Sequence, residues 1–262
     1  MTATLIQTQT DSPIISWRIL PDDFVLPDDP VEDQSQYALA VALLQALTTL
    51  PALMQDALIV TNFALCADVR WDNAPSDDNS SFVCKAPDWM YVRPVAPGKG
   101  YEPRRSYTPH AEGPIPQVVM EFLSHTYGEE YSVEFTQRVG KWYFYERIIQ
   151  VPIYVIFSGK TGHLEVYALE SERYVLQKAD ANGRYSIPSL ELFLGVWEGT
   201  RDCRTGYWLR WWTPQGELLL WPEERLEQER QRAEQERQRA EQERQRADAL
   251  AERLRELGVD LP

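Results

Sequence analysis

The chain has 262 residues, 26 Lys+Arg against 40 Asp+Glu for a formal net charge of -14, and a hydrophobic share of 44%. That apolar share supports a sizeable core and excludes wholesale disorder, and the length suits one ordinary domain plus an appendage. No run of about 18 apolar residues occurs, and the start, MTATLIQTQTDSP, lacks the basic-then-apolar order of a secretory leader, so no membrane contact and a cytoplasmic location are expected.

The charge is unevenly spread. Residues 1 to 90 hold 13 acids and 3 bases (net -10), residues 91 to 221 hold 15 and 14 (net -1), and residues 222 to 262 hold 12 and 9 (net -3). The N-terminal excess gathers in Asp22, Asp23, Asp28, Asp29 and in Asp72, Asp77, Asp78. Their Pro, Asn and Ser neighbours mark solvated loops, a solubility surface rather than a metal cage. Cys66, Cys84 and Cys203 are odd in number, widely spaced and in no CxxC arrangement. They are expected to be reduced and mostly buried, with neither a disulfide framework nor a zinc site.

From Asp33 to Leu50 the residues Tyr37, Ala40, Val41, Leu44 and Leu47 recur at helical spacing until Pro51, which predicts an amphipathic helix with these side chains in its apolar stripe. Ala57 to Trp71 and Trp89 to Val95 are rich in strand formers and predict strands. Between Arg93 and Pro116 six Pro and three Gly exclude regular structure over most of the stretch. This long loop carries Arg93, Lys99, Arg104, Arg105 and His110, and is locally basic in an acidic chain.

Val118 to Leu123 (VVMEFL) predicts a buried strand, Gly140 to Gln150 a short helix and Val151 to Ser158 (VPIYVIFS) a second buried strand, giving a β-α-β core. Further strands are expected at 163–169, 173–177 and 206–212, the last turning at Pro214, Gln215 and Gly216 into 217–221. The domain organisation read this way is an extension over 1–30, a folded domain over 31–221 and a tail over 222–262.

In the tail EQERQRA occurs three times in succession, at 227–233, 234–240 and 241–247. Pairs such as Arg230 with Glu234 and Glu234 with Arg237 lie three or four residues apart, which predicts a long charged helix. Leu226, Ala233, Ala240, Ala247 and Leu254 recur every seventh residue, but the other seam position is Glu229, Glu236 and Glu243 until Leu250 and Leu257. A weak coiled coil and a monomeric charged helix are both compatible with this pattern.

Glu121 is the chemically informative residue. It stands inside VVMEFL, where both strand faces should be covered, so its carboxylate must be paired, protonated or metal-bound. Asp88 begins a strand after Pro87 and can point into a cleft at a strand end. Two such acids make a hard oxygen site suited to Mg²⁺. Lys141 shares one helix face with Tyr145 and Ile148, and a Lys on an inward face needs a carboxylate or a ligand to meet. Taken singly, each has a plainer reading: a turn residue for Asp88, a buried ion pair to Lys141 or Arg147 for Glu121, a snorkelling surface lysine for Lys141. His110, His125 and His163 form no metal spacing, and the Trp residues concentrated after position 140 read as core or interface.

PDW at 87–89, VVMEFLS at 118–124 and KWYFYERIIQVPIYVIF at 141–157 resemble the Uma family of restriction-endonuclease-like proteins, in the PD-(D/E)XK nuclease superfamily, over roughly residues 10 to 221. The resemblance implies an α/β (α+β) fold, a mixed β-sheet flanked by helices, here with a long charged C-terminal helix. It implies Asp88 and Glu121 as ligands of Mg²⁺, or of Mn²⁺, and Lys141 orienting the attacking water and stabilising charge on a scissile DNA phosphate. The position two after Glu121 is Leu123 rather than the superfamily's Lys, and the family's supply of that Lys from the following helix matches Lys141. Glu32 and Asp33 are candidates by location for an early helical acid.

Two function classes follow. One is a metal-dependent DNA endonuclease whose basic loop (Arg93, Lys99, Arg104, Arg105) makes weak, local phosphate contacts, acting as a homodimer because cutting two strands takes two sites. The other is a nuclease-fold protein without activity that serves as an interaction or oligomerisation module, meeting a protein partner through its C-terminal helix.

Overall fold

Residues 34–68, 82–95, 104–123 and 140–256 are described by the structure, a computed structural model of the chain. The extension 1–30, both aspartate clusters, Glu32, Asp33, Lys99 and His125 lie outside them. Ala and Leu, strong helix formers, build α1 (Gln34–Leu47), and Pro51 opens the single turn α2 (Pro51–Met54). The core face of α1 is Leu39, Ala42, Leu43, Ala46 and Leu47. Tyr37 lies off that face and is 66% exposed, against the expected stripe. The helix is apolar almost all round, so periodicity alone did not determine which side would be covered.

Strands β1 (Leu58–Val60), β2 (Ala64–Asp68), β3 (Phe82–Lys85), β4 (Trp89–Val92), β5 (Ser106–Tyr107) and β6 (Val118–Phe122) precede the helix over 141–149. Then follow β7 (Ile153–Phe157), β8 (Leu164–Glu170), β9 (Arg173–Leu176), β10 (Arg184–Ile187), β11 (Leu192–Arg201) and β12 (Arg204–Trp212). The central sheet has the order β1-β4-β6-β7-β8-β9, antiparallel except for the β6–β7 pair. That parallel pair, joined across the 141–149 helix, is the β-α-β unit expected from the sequence. Two three-stranded sheets accompany it, β3-β2-β5 and β10-β11-β12. The arrangement is the mixed, helix-flanked sheet with a long C-terminal helix that the resemblance implied.

Several expectations are corrected. The predicted strand 57–71 divides into β1 and β2 in different sheets, broken at Asn62, whose φ is +45°. β10 and β11 were not anticipated; β11 turns into β12 through Asp202 and Cys203, both at positive φ (49° and 64°), with Arg201 opposite Arg204. This is a two-residue hairpin turn lacking the Asn-Gly or Asp-Gly signal that would reveal it. Over 217–221 only a bridge, Trp212 to Leu218, replaces the expected strand. Cys66 and Cys84 face each other in register on β2 and β3, Cα atoms 4.2 Å apart, and are joined by a disulfide, while Cys203 is exposed at the hairpin tip. The reading of three reduced, mostly buried thiols is therefore overturned, because strand register brings together two cysteines 18 residues apart in sequence.

Both faces of β6 and β7 are buried along their whole length. Side chains alternate between them. Val118, Met120 and Phe122 pack with α1, Trp208 and Trp211, whereas Val119 faces Phe144, Tyr145 and Ile149 of the 141–149 helix. Glu121, two residues after Val119, shares that second face, so the strand's own period aims it at the helix carrying Lys141.

At the start of the tail helix α4 (Pro222–Glu256), Pro222 occupies the first turn, and Glu224 reaches back to accept from the Trp221 N–H at 2.8 Å, the Glu half of a capping box. Glu224 also receives Arg210 through both guanidinium nitrogens (3.1 and 2.6 Å), and Glu223 receives Arg201 at 2.6 Å. Arg210 is 1% exposed and lies over the Trp221 ring, 3.4 Å from its centroid. Beyond this anchor α4 has no buried residue. Its ion pairs run within the helix, Arg230 with Glu227, Arg237 with Glu234 and Arg244 with Asp248; Arg230 thus turns back to Glu227 rather than forward to Glu234. Among the described residues no helix is long and apolar enough to cross a membrane.

Candidate active site

Asp88 stands between Pro87 and β4, one step beyond the Trp89–Met120 pair of the β4–β6 register, which brings it beside Glu121 at the end of β6. Its Oδ2 accepts from the Phe122 N–H at 2.5 Å. Gln36 of α1 donates to the Phe122 carbonyl at 2.7 Å, so the start of α1 is tied to the same strand end.

The helix facing Glu121 begins as α3 (Lys141–Tyr143) and continues as a π-helical segment, Phe144–Ile149, closed by Gln150 at φ +60°. The wider turn shifts the inward face: Tyr145 and Ile149 are buried, and the expected Ile148 is only partly covered. Lys141 Nζ donates to Glu121 Oε2 at 2.7 Å, and the Tyr145 hydroxyl donates to Glu121 Oε1 at 2.9 Å. Arg147 pairs instead with Glu172.

Glu121 is 1% exposed, and burial pushes its carboxyl up to about 8. Lys141 and the Tyr145 hydrogen bond oppose that shift, and the Asp88 charge adds to it. Burial likewise raises the Tyr145 hydroxyl well above its ordinary value, reinforced by the Glu121 charge, so it stays protonated and serves as a donor. Asp88, Glu121 and Lys141 are thus brought together at one strand end. Tyr145 is a fourth member to which the sequence reading gave no role; its i+4 spacing from Lys141 was the available signal.

The basic residues lie elsewhere. Arg93 follows β4 at its opposite end, where its backbone exchanges hydrogen bonds with the Gln117 side chain (2.8 and 2.7 Å). Arg104 is paired with Glu112 at 3.6 Å, and Arg105 is exposed. His110 and His163 are exposed, the latter beside Glu165.

A family model described as "Putative restriction endonuclease", Uma2, matches residues 18–202. The chain belongs to the Uma2 family. The match contains Asp88, Glu121 and Lys141 and ends in the turn after β11, so β12 and α4 lie outside the part shared with the Uma2 model. Membership of Uma2 puts the chain among nuclease-like proteins. No curated protein matches the sequence.

The donor set fits a small hard cation. Mg²⁺ is commonly held by one or two carboxylates, with water and substrate phosphate completing its shell, and Asp88 and Glu121 are two carboxylates at one strand end. Among the described residues no group of three or more His, Cys, Asp or Glu is placed to hold a metal.

Proposed function

We propose that the protein is a Mg²⁺-dependent endonuclease, also served by Mn²⁺, that hydrolyses DNA phosphodiester bonds. The single observation that carries this reading is the convergence of Asp88, Glu121 and Lys141 in a Uma2 chain, with the Lys141 ammonium 2.7 Å from Glu121 Oε2.

Asp88 and Glu121 would hold the cation, which when bound supplies Lewis-acid polarisation of the phosphate and activation of water. Glu121 is kept in place by Lys141 and Tyr145, one on each carboxylate oxygen. Lys141 orients the attacking water and presents its ammonium to the negative charge that grows on the phosphate oxygens, in a site whose burial strengthens that interaction. Asp88 is fixed by the Phe122 N–H and so does not need to reorganise when substrate arrives. Arg93, Lys99, Arg104 and Arg105 are proposed as phosphate contacts away from the reacting bond. About 15 Å of strand separates Arg93 from Asp88, a span several base pairs of duplex can cover. Two protomers acting together would cut both strands.

The exposed α4 supports the second reading, in which the fold serves a protein partner without catalysis. One assay separates the two: the purified chain is incubated with supercoiled, linear duplex and single-stranded DNA in Mg²⁺ or Mn²⁺, beside Glu121→Ala and Lys141→Ala. Cleavage by the unaltered chain alone supports the endonuclease. No cleavage by any protein supports the interaction reading, and equal cleavage by all three identifies a contaminant.

A further inference from the structure

The strand that leads into Asp88 is held from one side. β3 runs through Ala86 and Pro87 into Asp88 and β4, and in the sheet β3-β2-β5 it is an edge strand paired with β2. Their ladder is four residues long, from Leu65 opposite Lys85 to Asp68 opposite Phe82. β2 is the fixed member: Leu65 is fully buried, Cys66 is 2% exposed, and Ala64 and Leu65 also pair with β5. On β3, Val83 and Lys85 are half-buried and Cys84 is exposed. A short edge strand with so little packing behind it opens locally at small cost.

The Cys66–Cys84 disulfide crosses this pair in register, between residues 18 positions apart. Closing a loop of that length covalently favours the closed arrangement by about a hundredfold. The bond is therefore the main hold of β3 on β2. Its two sulfurs differ in reach, because Cys84 is exposed and Cys66 is buried. A dithiol reduces such a bond by thiolate attack through a mixed disulfide. Here the first thiolate bonds to the Cys84 sulfur and Cys66 leaves as a thiolate. The second thiol then attacks its own partner sulfur and releases Cys84. Two electrons and two protons pass to the protein, which ends with two thiols, while the dithiol ends as a cyclic disulfide.

We propose that the Cys66–Cys84 bond is a thiol-sensitive clamp on the approach to the candidate site: closed, it keeps β3 on β2 and holds Asp88 in place, and reduction by a dithiol frees β3 and loosens Asp88. On that side the Asp88 carboxylate is then left with its bond from the Phe122 N–H. Glu121 and Lys141 stand on β6 and on the 141–149 helix, outside the β3-β2-β5 sheet, and keep their places. The clamp stands on the disulfide alone, and its effect on metal binding rests on the endonuclease reading.

The test is amide hydrogen exchange over 82–92 and 118–122, together with Mn²⁺ titration, on the full chain before and after dithiothreitol, beside Cys66→Ser/Cys84→Ser and Cys203→Ser. Reduction should speed exchange at 82–86 by about tenfold or more, leave 118–122 unchanged and weaken Mn²⁺ binding severalfold. Cys66→Ser/Cys84→Ser should match the reduced chain without reductant and respond no further, and Cys203→Ser should behave as the unaltered chain. Equal exchange at 82–86 in the oxidised and reduced chains overturns the clamp. Faster exchange with unchanged Mn²⁺ affinity overturns its control of Asp88. A chain that binds no Mn²⁺ in either state overturns the metal-dependent reading instead, and exchange at 82–86 still decides the clamp.

Discussion

The Lys141 ammonium lies 2.7 Å from Glu121 Oε2, although the two residues are 20 positions apart on a helix and a buried strand. The strand's alternation turns Glu121 away from α1, and the register of Tyr145 on the π-turn supplies a second donor to the other carboxylate oxygen. A fully buried acid with one charged and one neutral donor is held in a fixed orientation, as a metal ligand requires. The same burial makes its ionisation costly.

That cost yields a pH dependence. The Glu121 carboxyl titrates at 4.5 when free and at about 8 in the folded chain. Between these values the folded state keeps a proton that the unfolded state has released, so stability of the metal-free protein falls as pH rises from 4.5 towards 8 and levels off above. Glu121→Gln has no such proton, and its thermal melts at pH 5, 6, 7 and 8 should show a flatter profile. An identical slope in both proteins would mean that another group is responsible.

Tyr145→Phe keeps the ring in the core and removes the 2.9 Å hydrogen bond to Glu121. A hydrogen bond to a charged group contributes about 1.5–3 kcal/mol, and a neutral one about half that. With Glu121 largely protonated near neutrality, the bond is mainly of the neutral kind, and urea unfolding should register a loss of about 1 kcal/mol. A loss close to zero would show that the hydroxyl is not held in solution.

At the base of α4, Arg210 is buried against Trp221 and bonded to both oxygens of Glu224. Replacing Arg210 by Ala empties a tightly packed position and strips Glu224 of its partner, at an expected cost of about 3 kcal/mol. Glu223→Gln, whose partner Arg201 also lies over Trp221, should cost less, about 1 kcal/mol. Equal and small losses would place the anchor elsewhere.

Beyond that anchor nothing in α4 is buried. Ending the chain after Leu226 should leave the melting temperature of the remaining domain within about 2 °C, since surface residues contribute little, while far-ultraviolet dichroism loses about half of the helical signal. A large fall would reveal an interface made by the tail, and with it support for the oligomerisation reading.

How much of this was legible before folding depends on which signals are local. Glu121 stood out because a single acid interrupts a run that should be covered on both faces. Lys141 stood out because its helix face is otherwise apolar. The face of Tyr145 was readable from its spacing to Lys141, but the partner of its hydroxyl was not: that is fixed by the packing of the helix on β6, and the π-turn moves Ile149 into the place expected for Ile148. Cys66 and Cys84 meet through the register of β2 and β3, which no local pattern encodes. The β11–β12 hairpin was hidden by an Asp-Cys turn, and Tyr37 was placed in the core stripe of a helix whose apolar residues surround its axis.

The central claim is that Asp88, Glu121 and Lys141 form a metal-assisted phosphodiesterase. Its most direct measurement is the single-turnover rate of DNA cleavage in Mn²⁺ by the unaltered chain and by Glu121→Gln, which matches it in size and should fold as well. The account predicts a fall of about a hundredfold or more on losing the carboxylate, with the fold retained by dichroism. A Glu121→Gln protein that cuts DNA at the unaltered rate would contradict it.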